Sequence, residues 1–291
     1  MTTLATTPPT SAPAGSPNKL KRKHTAYSIF RVVMLAIVIL IFLVPLLWMV
    51  ASSFKQNVDI QDTSKVFAFT PTLQNYDNVF GRDTYLKFVF NSLWIAVCAT
   101  GLSLLLGVPA AYAMSRFNMQ KSALVVLLAR IIPGVSLLVP WYFIFANLGW
   151  VGGYGVMIIS HMFILIPISV YIMMSFFDSM PIELEEAARV DGLTPIGAFV
   201  RIVLPLSRPG VATAGILSLI FSWNNFMFAL VLTGSGTKTL PVAVFDFVSY
   251  ASIDWGSIMA ASLIMTLPIV VIALFTQKYI VSGLTAGATK G

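Results

Sequence analysis

Long apolar blocks alternate with short polar stretches along the chain, and the length of the blocks sets the first expectation. A helix rising 1.5 Å per residue needs about 20 apolar residues to cross a hydrocarbon core about 30 Å thick. Six blocks of this kind are legible, at about 29–50, 88–114, 123–146, 154–176, 206–233 and 255–281. The pattern predicts an all-α integral membrane protein with six transmembrane helices. Residues 1–18 are rich in Thr, Pro, Ser and Ala without periodicity. Residues 1–28 are therefore expected to form a disordered tail, and residues 29–291 the membrane domain. The first block is too long for the apolar core of a signal peptide and has no small-residue cleavage site after it, so it is expected to stay as a span.

Composition agrees with the pattern. The chain is 57% hydrophobic and 10% charged, against roughly 25% charged in a soluble domain. A net charge of +7 would suit nucleic acid, but Lys19, Lys21, Arg22, Lys23 and Arg31 flank the first block, where they act as a topology signal. Six spans put both termini on one side of the bilayer. The tail, the 115–122 and 176–209 loops and the C-terminus carry twelve Lys and Arg, against five in the opposite segments. Both termini are accordingly expected in the cytoplasm, the chain passing repeatedly through the cell membrane. Cys98 is the single cysteine, which excludes a disulfide within the chain.

Pro45, Pro109, Pro133, Pro140, Pro167 and Pro268 fall inside the apolar blocks. Each removes a backbone donor, and such breaks are tolerated at membrane depth where neighbouring helices or water satisfy the freed carbonyls. Each alone reads as a packing kink; together they favour a bundle with internal cavities over a simple anchor.

The polar loop at 178–209 has the most local structure. Asp178 or Ser179 is expected to cap a short helix with Pro181 in its first turn and Glu183, Glu185 and Glu186 near the positive end of its dipole. Gly192 supplies a left-handed stop. Thr194 and Pro195 start a second helix expected to run to about Leu204, where Pro205 interrupts it. Ala187 and Ala188 are small enough to let another surface approach the backbone, while the carboxylates can meet basic groups on a partner. A solvated acidic face is the plain alternative.

Glu186-Ala187-Ala188, then Gly192, Ile202 and Leu204-Pro205 at the intervals found here, resemble the signature loop of permease subunits of bacterial ATP-binding-cassette importers. Further stretches resemble the carbohydrate branch of that family, of the maltose-importer type: Ala111-Tyr112-Ala113 with Ser115-Arg116-Phe117, Arg130-Ile131-Ile132-Pro133, Ser222-Trp223-Asn224, Leu240-Pro241, Asp254-Trp255-Gly256 and Gly283-Leu284-Thr285-Ala286-Gly287. The resemblance spans roughly residues 25–291. It implies a type I importer permease in which Glu185, Glu186, Ala187, Ala188, Asp191, Gly192, Leu204 and Pro205 couple the chain to an ATPase. It also implies the partners: a second permease subunit in a heterodimer, two ATP-binding-cassette ATPase subunits that bind ATP and Mg, an external solute-binding protein, and a sugar. Where many relatives carry a carboxylate after the Trp-Asn pair, this chain has Asn225.

Within the apolar blocks, Arg130 is costly in lipid and must face protein, water or an interface. Trp223, Asn224, Asn225 and Phe226 combine apolar faces with amide donors and acceptors, which suits either transient contact with an uncharged, hydroxyl-rich solute or bonding between spans. These five are the candidate substrate path. His161 reads as a packing group before a proton relay. Gly234–Thr239 superficially looks like a phosphate loop, but Thr237 stands where a glycine must precede the lysine, and no second nucleotide motif exists. No catalytic set, metal-ligand spacing or cofactor site is legible. The segment from Ser52 to Lys87, with Pro71, Tyr76 and Phe80, is a candidate docking surface for the binding protein or a cap over the bundle. Two rival readings remain: a secondary transporter, which would normally place carboxylates in the membrane, and a non-transporting scaffold.

Overall fold

The computed structural model describes residues 17–81, 84–248 and 253–285. The first helix, α1 (Pro17–Ser53), is apolar along its membrane-length part with Pro45 inside it. Its start corrects the expected tail: residues 17–28 are helical, and only 1–16 lie outside the described residues. The basic run of the tail therefore continues the helix that it flanks.

The second unit, from Ser52 onward, begins with a small cap. Short helices α2 (Asn57–Gln61) and α3 (Gln74–Phe80) enclose Lys55. Its Nζ donates to the carbonyls of Lys65 and Val66 at 3.0 and 2.8 Å and sits 4.6 Å over the Phe69 ring, which together compensate the buried cation. Asn75 is buried beneath, donating to the carbonyls of Ser53 and Lys55. Ser64 hydrogen-bonds the Asp62 carboxylate and lowers its pKa, while hydrogen bonding to Asp59 raises that of Lys65.

The bundle is built on α4 (Tyr85–Arg116) and α7 (Tyr154–Ser179), which pack along their length and are joined by α11 (Arg208–Trp223). The buried face of α4 carries Ala96, Ala99, Thr100, Ser103, Gly107 and Ala111, whereas Leu86, Phe90, Leu105 and Leu106 are exposed. With Tyr85, Phe88, Ile95 and Val108 also buried, the inner face mixes large residues with a run of small ones while large apolar residues cover the outer face as well, as expected where lipid is the solvent and close packing holds helices together. Gly107 shows the constraint: a Cβ there would lie 2.9 Å from the Cβ of Ser169 on α7.

Four described helices are long and apolar enough to cross a bilayer, or five counting one bent pair, rather than six continuous spans. The helices at 27–53, 85–116 and 154–179 extend the expected blocks, and the one at 255–277 falls within the block expected at 255–281. Two expected spans are broken. The block at 123–146 forms α5 (Gln120–Leu128) and α6 (Leu138–Asn147), separated by turns and a 3-10 segment at Gly134–Leu137. At 1.5 Å per residue these helices are roughly 14 and 15 Å long, so neither crosses alone. Pro133 ends the first helix by lacking a donor and restricting its predecessor, and the N–H groups of Arg130 and Ile131 tighten back onto Leu127 and Leu128. The block at 206–233 forms α11 and α12 (Met227–Leu232), parted at Asn224–Phe226. There the Asn224 amide bonds back to the Ile220 carbonyl and Asn225 Oδ1 accepts from the Phe228 N–H, so both side chains compete with the helical ladder.

In the loop between α7 and α11, α8 (Glu183–Val190) is followed by α9 (Pro195–Ala198), a π-helical turn at Phe199–Val203 and α10 (Leu204–Leu206). Gly192 takes the left-handed conformation at φ +91° and Thr194 caps α9 by accepting from Gly197 N–H, both as expected. Two details differ. Asp178 and Ser179 belong to the end of α7, leaving Ile182 before α8 with no side-chain cap. Pro205 does not interrupt the second helix: the wide turn before it re-registers the hydrogen bonds, and the chain bends by 73° between Pro195–Leu206 and Arg208–Trp223. α13 (Leu240–Ala243) is buried in the bundle, and α14 (Trp255–Thr285) carries Pro268. The expected domain end at 286–291 lies outside the described residues.

Candidate coupling face and solute path

α8 is held to the bundle by a narrow stripe. Only Glu185 and Ala188 of its eight residues are buried, one helical turn apart. Glu186, Ala187, Arg189, Val190, Asp191 and Gly192 are exposed, Val190 at 87%. Beside them Glu186, Arg189, Val190, Leu193 and Pro195 line an open recess of about 470 Å³. The result is an exposed face of small and apolar groups, with carboxylates beside them, able to take a partner's surface. Leu204 and Pro205 are half-buried, supporting the turn into α11 rather than forming part of that face.

The structure thus divides the eight expected coupling residues. Glu185 turns inward, where its Oε1 accepts from Arg116 Nε and its Oε2 from the Tyr112 hydroxyl, both at 2.6 Å. Arg116 ends α4 and also donates to the carbonyls of Phe177, in the last turn of α7, and Met180, just past it, at 3.0 and 3.4 Å. The Tyr112 ring packs against Phe177 and Phe199, with centroids at 5.6 and 4.5 Å. Ser115 adds a hydrogen bond to Asp178. Tyr112 and Arg116 were visible in the sequence as parts of a family-like stretch, but nothing local assigned them a partner.

The five candidate path residues do not form one cluster of polar groups. Trp223 is buried, its indole Nε1 donating to the Met265 carbonyl of α14 at 3.1 Å, which is the interhelical bonding of the alternative reading. Asn224 is exposed, Asn225 half-buried, and Phe226 stacks on Phe245 at 4.8 Å. Arg130 is exposed in the other break. The second halves of the broken spans do meet, because the Trp141 and Phe228 rings pack at a tilt with centroids at 5.6 Å and Gly134 lies beside the Phe228 ring. Irregular backbone from both breaks is therefore drawn into one neighbourhood, as required where non-helical backbone is buried in protein or lines a cavity. His161 is buried with its Nδ1 2.6 Å from the Ser222 hydroxyl, in keeping with a packing role. Among the described residues no group of three or more His, Cys, Asp and Glu is placed to hold a metal.

A family model of the inner-membrane component of binding-protein-dependent transport systems matches residues 103–286, which include both breaks and the whole α8 loop. The chain belongs to that family. The permease is 35% identical to the trehalose transport system permease protein SugB of Mycobacterium tuberculosis over 255 residues, 86% of this chain and 93% of the relative. It is 37% identical to the trehalose/maltose transport system permease protein MalG of Thermococcus litoralis over 259 residues, 87% of this chain and 93% of the relative. A crystal structure of a bacterial ABC transporter involved in the import of the acidic polysaccharide alginate has a chain of the same fold. Its TM-score is 0.73 at 20% identity, covering 92% of the permease and 99% of that chain. The permease is therefore a multi-pass membrane subunit of an ATP-driven importer.

Proposed function

We propose that the permease forms half of the transmembrane path of a sugar importer, paired with a different permease and driven through α8 by two ATPase subunits that bind ATP and Mg. An external binding protein delivers the solute, and the segment 52–81, where Phe67, Pro71 and Phe80 are exposed, offers it a docking surface. The sugar class rests on what relatives are named for: trehalose, trehalose/maltose and diacetylchitobiose. The heterodimer, the cytoplasmic termini and the path residues Arg130, Trp223, Asn224, Asn225 and Phe226 belong to the same reading.

The observation that carries the proposal is the exposed face of α8. A helix of eight residues is too short to persist alone in water, and here it is anchored by two residues while presenting the remainder outward. Such a helix is placed to take up a load from a partner. The ion-coupled alternative has little support, because the long apolar helices at 85–116, 154–179 and 255–277 contain no Asp or Glu apart from Asp178, which lies in the last turn of α7. The test is to purify the tagged permease from native membranes and identify the chains that come with it. An ATP-binding-cassette ATPase is expected, and Glu186→Lys should remove it while leaving the amount of folded permease unchanged. Recovery of the permease without any ATPase, or retention of the ATPase by the Glu186→Lys chain, would count against the reading.

A further inference from the structure

The inward turn of Glu185 leaves it no part in the exposed face of α8. We infer that Glu185, Arg116 and Tyr112 form a positioning linkage that makes α8 and the adjoining ends of α4 and α7 move as one body. The inference rests on the coupling role proposed for α8.

The geometry supplies three independent ties. Both oxygens of the Glu185 carboxylate are engaged, one by a guanidinium and one by a hydroxyl. The same guanidinium reaches two carbonyls at the end of α7, so a single Arg116 side chain bridges three elements. The Tyr112 ring, wedged between Phe177 and Phe199, extends the tie to the segment after α9. The side chains of Arg116 and Glu185 are only 12% and 9% exposed. At that burial water cannot replace either partner cheaply, so the pair resists being pulled apart.

The linkage is also a direct route for force to leave α8. A push on Glu186 or Ala187 passes to the rest of the chain through the buried stripe of Glu185 and Ala188 or through the two short connections of α8, at 180–182 back to α7 and at Gly192 on to α9. Glu185 thus carries load directly into the last turn of α4. From there a continuous helix runs 32 residues to the far end of the bundle. A neutral hydrogen bond at this position would hold the resting arrangement, but it would yield sooner under load than a buried, charge-assisted, two-point contact.

The linkage is read by distance in the complete importer. Cys98→Ala removes the native thiol, and spin labels are placed at Glu183→Cys on α8 and at exposed Leu105→Cys on α4. Pulsed electron resonance then compares nucleotide-free and ATP-bound complexes. One narrow distribution, unchanged between the two states, is expected; a shift of the parent distance on ATP binding overturns the inference. Glu185→Gln should broaden the distribution and make its mean depend on nucleotide, whereas Glu185→Asp, which keeps the charge, should stay closer to the parent. Tyr112→Phe removes only a hydroxyl and keeps the ring, so it tests the linkage even if Glu185→Gln fails to fold; distributions identical to the parent in Tyr112→Phe and in any folded Glu185→Gln overturn the inference. Loss of the ATPase from Glu185→Gln would assign Glu185 to docking and overturn the linkage while sparing the proposed function. If the parent brings no ATPase, the proposed function fails, and the same labels in the isolated permease still report whether Glu185→Gln loosens α8.

Discussion

The two ends of the α4 and α7 pair hold their loops by opposite chemistry. At one end Arg116 and Glu185 tie α8 through a buried ion pair, and most of α8 remains outside. At the other end Asn91, fully buried, donates to the carbonyls of Gly236 and Lys238 and accepts from the Tyr154 hydroxyl, while Ser92 accepts from the Leu240 N–H. There the loop descends into the core, so that Leu240, Pro241, Val242 and Ala243 are all buried. A neutral amide with several partners cements a segment that stays in place. A two-point ionic contact under an exposed helix suits a segment that is pushed. The comparison teaches that burial of the loop, more than the number of its polar contacts, separates a fixed closure from a lever.

Substitutions at the two ends sharpen this contrast. Arg116→Met should cost the most, about 3–5 kcal/mol, because it strands the Glu185 carboxylate without its cation; thermal unfolding of the detergent-solubilised permease measures it. A loss under about 1 kcal/mol would mean that water reaches the pair and that it stiffens nothing. Asn91→Leu should cost about 1–3 kcal/mol, leaving the part-buried Gly236 and Lys238 carbonyls and the Tyr154 hydroxyl without their amide partner. Its unfolding should stay cooperative, and proteolysis within 234–240 should rise far more than within 183–195. Smallest is Gly192→Ala, which forces a side chain into the left-handed region at about 1–2 kcal/mol. Space is open around that position, so the cost is conformational and should appear as faster hydrogen exchange in α8 with little change elsewhere.

The broken and the unbroken spans divide what was legible. α4, α7 and α14 announce themselves as long apolar runs, and their internal prolines leave each helix continuous. The blocks at 123–146 and 206–233 look the same on hydropathy alone, yet each is interrupted. Pro133 followed by Gly134 was a readable warning in the first. In the second the interruption comes from two asparagine side chains that bond to backbone, an outcome the pattern of apolar residues does not register.

Class, approximate spans, the excess of basic residues on one set of loops and the α8 motif follow from the sequence by itself, because lipid thickness, helix rise and the conformational demands of Gly192 and Thr194 are local constraints. Which acidic residue of α8 faces inward, that Arg116 holds three chain segments, and that Trp223 bonds to α14 were decided only by the tertiary structure. Glu183, Glu185 and Glu186 are chemically near-equivalent in a list of residues. Their roles separate once Arg116, 69 residues earlier in the chain, reaches Glu185 from the end of α4, since a contact between distant positions depends on how the helices cross, which no short window of sequence contains.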